Sequence, residues 1–177
     1  QIFDDREFCV ERRYFGQDGQ PCLHSEGYST IAFVYDERGN QTEEKYLGID
    51  EKPTLSPWGT ASSVDRFDDH GNLVERQFRG INGEPVSHRD GYARFTQAYD
   101  DQGHLVETAY FDPAGLTTLS KDGYAKQRST YDRNGFEIRR DYFGTDGRPI
   151  LNQQGRARVA YVNDDFGNHV EERYFDT

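Results

Sequence analysis

The sequence predicts an all-β fold, made of tandem 32-residue β-hairpin units stacked into an elongated or spiralling sheet or solenoid. Three observations carry that reading. Residues of one chemical kind recur at a fixed step of 32, as in Tyr14, Tyr46, Phe78, Tyr110, Tyr142 and Tyr174, with no insertion or deletion between them. The apolar content is largely 12 Tyr and 12 Phe, with no Met and one Trp, side chains that suit a pleated, half-buried surface. No apolar stripe of helical period survives between the glycines and prolines, which interrupt every run within about a dozen residues.

One unit reads G-Y-A-x4-Y-D-x2-G-N-x2-E-x2-Y-F-x3-G-x-P-x-L-x3-G. Its first strand is predicted over Tyr28–Tyr35, where aromatic and β-branched residues concentrate, and its return strand over Asn40–Leu47. Between them Asp36-Glu37-Arg38-Gly39 forms a tight reversal. An Asp at the first turn position accepts hydrogen bonds from backbone further on, and Gly at the fourth takes positive φ without a Cβ clash. The columns Asp36/Asp68/Asp100/Asp132/Asp164 and Gly39/Gly71/Gly103/Gly135/Gly167 are therefore turn chemistry. A second connection, Gly144 to Pro149, separates one hairpin from the next, because Pro lacks the N–H a ladder needs.

The chain divides as one array over residues 1–177. A partial copy covers 1–13, units begin near 14, 46, 78, 110 and 142, and a further unit starts at 174. A single unit buries too little apolar surface to offset the entropy of ordering its backbone, so neighbours must supply the rest. Each aromatic is expected to pack on its own column in adjacent copies. Tyr14/Tyr46/Phe78/Tyr110/Tyr142/Tyr174 makes one ladder and Phe3/Tyr35/Phe67/Tyr99/Tyr131 another. The column Phe15/Leu47/Arg79/Phe111/Phe143/Phe175 lies one residue after the first and points to the opposite face.

Composition narrows the function. A net charge of −11 repels nucleic-acid phosphates and anionic lipid, and no basic patch compensates. No apolar run approaches the ~20 residues that span a bilayer, so neither nucleic-acid binding nor membrane insertion is expected. Cys9 and Cys22 show no metal-ligand spacing and are read as packing residues. The chain opens on Gln1 and begins and ends inside a unit, which points to a segment of a longer protein; an extracellular or cell-surface location is the expectation.

The Y-D-x2-G-N core, seen at Tyr35-Asp36-Glu37-Arg38-Gly39-Asn40 and in variant form at Tyr99-Asp100-Asp101-Gln102-Gly103-His104, resembles the YD (Rhs-type) repeats of bacterial surface and toxin proteins, over the whole chain. That likeness implies a spiralling hairpin sheet acting as shell, stalk or adhesion surface, with catalysis in separate domains. Tyr142-Phe143-Gly144-Thr145-Asp146-Gly147 is similar to the units of cell-wall and glucan-binding repeats, which place aromatic sugar sites between copies.

No catalytic or metal constellation emerges, and no cofactor is expected. His24, His70, His88, His104 and His169 occupy four repeat phases without zinc spacing and read as surface turn histidines. Asp68-Asp69, Asp100-Asp101 and Asp164-Asp165 read as turn caps that lack the EF-hand spacing for calcium. Glu11, Glu43, Glu75, Glu107 and Glu171, replaced once by Arg139, read as ion-pair partners of neighbouring Arg and Lys. The informative departure is Pro53–Thr60, where Thr60 replaces the aromatic of Tyr28, Tyr92 and Tyr124 and the only tryptophan, Trp58, lies two residues before. Trp58 either covers the gap or, with the tyrosines standing exposed, contacts a ligand. Phe136, where Asn40, Asn72 and Asn168 stand elsewhere, is a second departure. The expectation is a non-enzymatic repeat module that partners protein or polysaccharide, as scaffold, interaction surface or carbohydrate-binding module, with Trp58, Tyr28, Tyr92 and Tyr124 as binding residues.

Overall fold

A computed structural model describes residues 1–177 and shows twelve antiparallel strands and no helix. The chain divides into two compact units, Gln1–Arg89 and Asp90–Thr177. The first holds β1 (Ile2–Phe3), β2 (Cys9–Arg13), β3 (Thr30–Tyr35), β4 (Gln41–Leu47), β5 (Ser62–Phe67) and β6 (Leu73–Arg79). The second holds β7 (Arg94–Tyr99), β8 (Leu105–Phe111), β9 (Lys126–Tyr131), β10 (Glu137–Phe143), β11 (Arg158–Asn163) and β12 (His169–Phe175). In each, every strand pairs with the next in the chain, giving an open meander.

The return strands lie where the alternation places them, but the first strand of each hairpin starts later than expected. Tyr28 is not in β3. It closes a third tight turn, in which the Gly27 N–H reaches the His24 carbonyl at 2.9 Å and the His24 N–H reaches the Tyr28 carbonyl at 2.7 Å. The same turn recurs at Ser56–Thr60 and Ser120–Tyr124. The cap position of that turn alternates His, Ser and Asn, so no single residue type announced it.

The Asp turns are built as their chemistry requires. Asp36 Oδ1 accepts the N–H of Arg38 at 2.9 Å and of Asn40 at 2.8 Å, while Oδ2 takes the Asn40 amide at 2.9 Å. Asp68 and Asp164 repeat the arrangement with Asn72 and Asn168, and Asp100 with His104. Hydrogen bonds from Asn40 hold the Asp36 carboxyl below the usual carboxylate range; those from Asn72 and Asn168 do the same for Asp68 and Asp164, and the His104 ring does so for Asp100. Gly39 has φ 89, and a Cβ there would lie 2.8 Å from the Phe8 ring. It thus serves both the turn and the packing of one turn on the previous one. Two non-glycines occupy equivalent left-handed positions, Glu7 at φ 66 and Glu51 at φ 59.

Pairing within hairpins is longer than pairing between them. β3 and β4 share six residue pairs, from Thr30↔Leu47 to a bulge at Tyr35↔Gln41. β4 and β5 share three, Glu43↔Val64 to Lys45↔Ser62. The ladder between hairpins therefore opens toward the Asp turns and leaves backbone carbonyls there without a ladder partner. Side chains fill the gap: the Tyr35 hydroxyl donates to the Cys9 carbonyl at 3.2 Å, Tyr131 to Leu105 at 3.0 Å, and the Asn163 amide to Glu137 at 2.9 Å.

Candidate functional site

The aromatic columns do not pack as self-stacking ladders. In the first unit the rings follow the order Tyr14, Tyr28, Tyr46, Trp58, with centroids 5.9, 5.0 and 6.3 Å apart. In the second the order is Tyr92, Tyr110, Tyr124, Tyr142, at 4.5, 5.9 and 4.8 Å. A ring from the third turn inserts between successive members of the expected column, because the hairpin that intervenes in space places its own turn there. The second expected ladder is interleaved too, with Tyr35 stacked on Phe8 at 4.8 Å and Tyr131 on His104 at 4.7 Å.

This order places the expected binding residues two in each unit. Tyr28 and Trp58 both pack against Tyr46, and Tyr92 and Tyr124 both pack against Tyr110. Tyr28 retains 4% exposure and Tyr124 8%, so the picture of exposed tyrosines is corrected for these two. Trp58 and Tyr92 are half-buried. Burial pushes the Tyr28 hydroxyl well above its ordinary range, aided by the Glu26 carboxylate that accepts its hydrogen bond at 2.6 Å. Burial does the same to Tyr124 and Tyr46. Trp58 packs on Tyr46 two residues before Thr60, which replaces a ring. Where the column later holds Arg156, its guanidinium lies 3.6 Å from the Tyr174 ring centroid.

Four of the five histidines stack on aromatic rings, which their reading as surface turn residues did not include. His24 stacks on Tyr28, His88 on Phe78, His104 on Tyr131 and His169 on Tyr161, at 5.3, 4.7, 4.7 and 4.2 Å; His70 is exposed in its turn. A flat imidazole continues an aromatic stack while its nitrogens serve the turn, which single-residue spacing does not reveal. Cys9 and Cys22 are free and half-buried. The structure gathers no group of three or more His, Cys, Asp or Glu in metal-binding geometry.

Two buried carboxylates escaped the sequence reading. Asp65, 5% exposed, receives the Arg76 Nε at 2.7 Å across the β5–β6 pair. Asp141, 8% exposed, receives Arg158 Nε at 2.6 Å and Arg139 Nη2 at 2.9 Å. Counting outward from the Asp68–Gly71 turn would pair position 65 with 74; the bulge between Arg66 and Phe67 shifts the register and brings Asp65 opposite Arg76. Glu107, within the expected column of pairs, holds Arg128 at 2.7 Å and Lys126 at 3.3 Å.

A cleft of about 230 Å³ opens in the second unit beside Tyr124 and Tyr142, with Gln127, Arg140, Asp122 and Asn152 around it. A cleft of about 150 Å³ in the first unit lies among Leu47, Pro53, Ala61 and Ile81, with Lys45 and Arg79 on its lining. No protein-family model matches the chain, and a search of curated proteins returned no match.

Proposed function

We propose that the chain is a non-catalytic array of tandem 32-residue hairpins, a scaffold or interaction surface within a larger bacterial protein of the YD-repeat kind. The observation that carries this reading is the bond from one hairpin to the one before it at a constant offset. Position 35 reaches position 9, 131 reaches 105 and 163 reaches 137, each a separation of 26 residues. The loops repeat the theme at a separation of 31: Arg89 N–H bonds the Trp58 carbonyl at 2.9 Å, Lys121 N–H that of Asp90 at 2.7 Å, and Gln153 N–H that of Asp122 at 2.8 Å. Side chains spent on holding neighbours make a chain whose energetics are those of nearest neighbours. The buried carboxylates support a non-catalytic role, because arginines hold them and leave no free acid–base pair.

The test is excision of residues 94–125 with Ala93 joined to Lys126. A scaffold array refolds at the new joint, unfolds cooperatively and shows a urea m-value lower by roughly a fifth, in line with the surface removed. A chain left unfolded by that cut would sink the array reading.

A further inference from the structure

We propose that the sheet face around Ala160 holds the dianionic phosphoryl group of a phosphate monoester, a role beyond scaffolding and independent of it. Alternation puts every second residue of a strand on one face, and register decides which charges meet there. Ala160 pairs with Arg139 on β10 and with Arg173 on β12. Arg158, two residues back on β11, stands on the same face. Three arginines thus border one small, half-buried side chain. Strand spacing and rise put all three Cα atoms within about 7 Å of that of Ala160, a span an arginine side chain reaches across.

Corresponding positions in the first unit carry no such charge. Ala32 is bordered by Glu11, Lys45 and Thr30, which sum to zero, and Val64 by Glu43, Gln77 and Ser62, which sum to −1. Around Ala160 the three arginines sum to +3. The change that decides this is Arg139, at the position where the other units hold Glu11, Glu43, Glu75, Glu107 and Glu171. The three cations come from three strands, so no run of the sequence is basic, yet a chain of net charge −11 carries a local cationic patch.

These arginines are held in place but not used up. The Asp141 carboxylate accepts from Nε and Nη2 of Arg139 and from Nε of Arg158, and Glu171 accepts from Nε and Nη2 of Arg173. Two carboxylates against three guanidinium groups leave one positive charge over. Those bonds leave Nη1 of all three arginines and Nη2 of Arg158 as donors, on side chains 45, 43 and 61% exposed. Guanidinium forks already fixed by carboxylates lose little freedom on binding, and their planar geometry fits phosphate oxygens. A phosphate monoester brings three acceptor oxygens and close to two negative charges at pH 7, where a carboxylate brings two oxygens and one charge. Nucleic acid and anionic membrane bring many charges against an acidic chain and are disfavoured.

The experiment titrates the whole chain with inorganic phosphate, a blocked phosphoserine tripeptide and glycerol 3-phosphate, and with blocked glutamate and a short single-stranded DNA as comparisons. The readout is the Nε–H NMR signals of Arg139, Arg158 and Arg173. Phosphate and at least one ester should shift all three at low salt with a Kd of about a millimolar, and the ester that binds tighter names the source of the phosphoryl group. Arg173→Gln, which leaves the Asp141 pairs intact, should weaken binding about tenfold. Arg139→Glu, which restores the residue of the other units, should abolish it. Lys45→Gln, at the place in the first unit that corresponds to Arg173, should leave it unchanged. Signals that stay put at about ten times the expected Kd overturn the proposal. So does glutamate or DNA binding as tightly as phosphate, or binding that survives both arginine variants.

Discussion

The hydroxyl of Tyr131 donates a hydrogen bond to the carbonyl oxygen of Leu105 at 3.0 Å, across the point where the β8–β9 ladder stops at Glu107↔Arg128. The equivalent position in β5 holds Phe67, which has no hydroxyl to offer the Gln41 carbonyl. Tyr131→Phe should therefore destabilise the chain by about 1 kcal/mol, and Phe67→Tyr should stabilise it by a similar amount. Urea unfolding of the two variants checks the pair; equal shifts of the same sign would contradict it.

Glu51 adopts φ 59 where the turns at Gly83, Gly115 and Gly147 use glycine. A left-handed non-glycine costs ~1–2 kcal/mol, and glycine's added freedom in the unfolded chain returns about half of that. Glu51→Gly should raise stability by about 0.5–1 kcal/mol in thermal unfolding, whereas Gly83→Glu should lower it.

Asp65 is buried against Arg76, whose side chain keeps 35% exposure. Removing the acid leaves a partly buried arginine without its partner. Asp65→Ala should cost about 2–3 kcal/mol, below the ~3–5 of a wholly buried pair because water reaches the guanidinium. The double change Asp65→Leu with Arg76→Met should recover most of it. A double variant no better than the single one would show that the pair does more than satisfy itself.

The four capped turn aspartates, Asp36, Asp68, Asp100 and Asp164, titrate below their ordinary value of 3.8 when folded. As pH falls the unfolded chain therefore takes up protons first, and stability drops. It should be level above about pH 5 and decline through the range below 4, as each folded pKa is passed. Asp68→Asn should flatten part of that decline in urea midpoints measured against pH; stability that rises in acid would refute the assignment.

Much of this fold could be read from residues alone, because turns are local. Asp36 and Gly39 announce their reversal, and the alternation after Asn40 places a strand with its faces assigned. The interleaving of Tyr28 between Tyr14 and Tyr46 could not be read that way. A shared phase shows which residues are equivalent, not which lie next to each other in space. The burial of Tyr28 and Tyr124 follows from that insertion, and so does the stacking of His24 on Tyr28. The cleft beside Tyr142 was also out of reach, since Gln127 and Asn152 meet there only after three turns bring them round. Trp58 was legible as a departure, while its contact with Tyr46 was not.

The central claim is that hairpins hold one another, and the most direct measurement compares amide hydrogen exchange in the peptide 94–125 with that of the same residues in segment 90–177. Nearest-neighbour stabilisation predicts no measurable protection in the peptide and strong protection of β7 and β8 in the longer segment. Equal protection in both would show a hairpin that stands alone, and the account would fail.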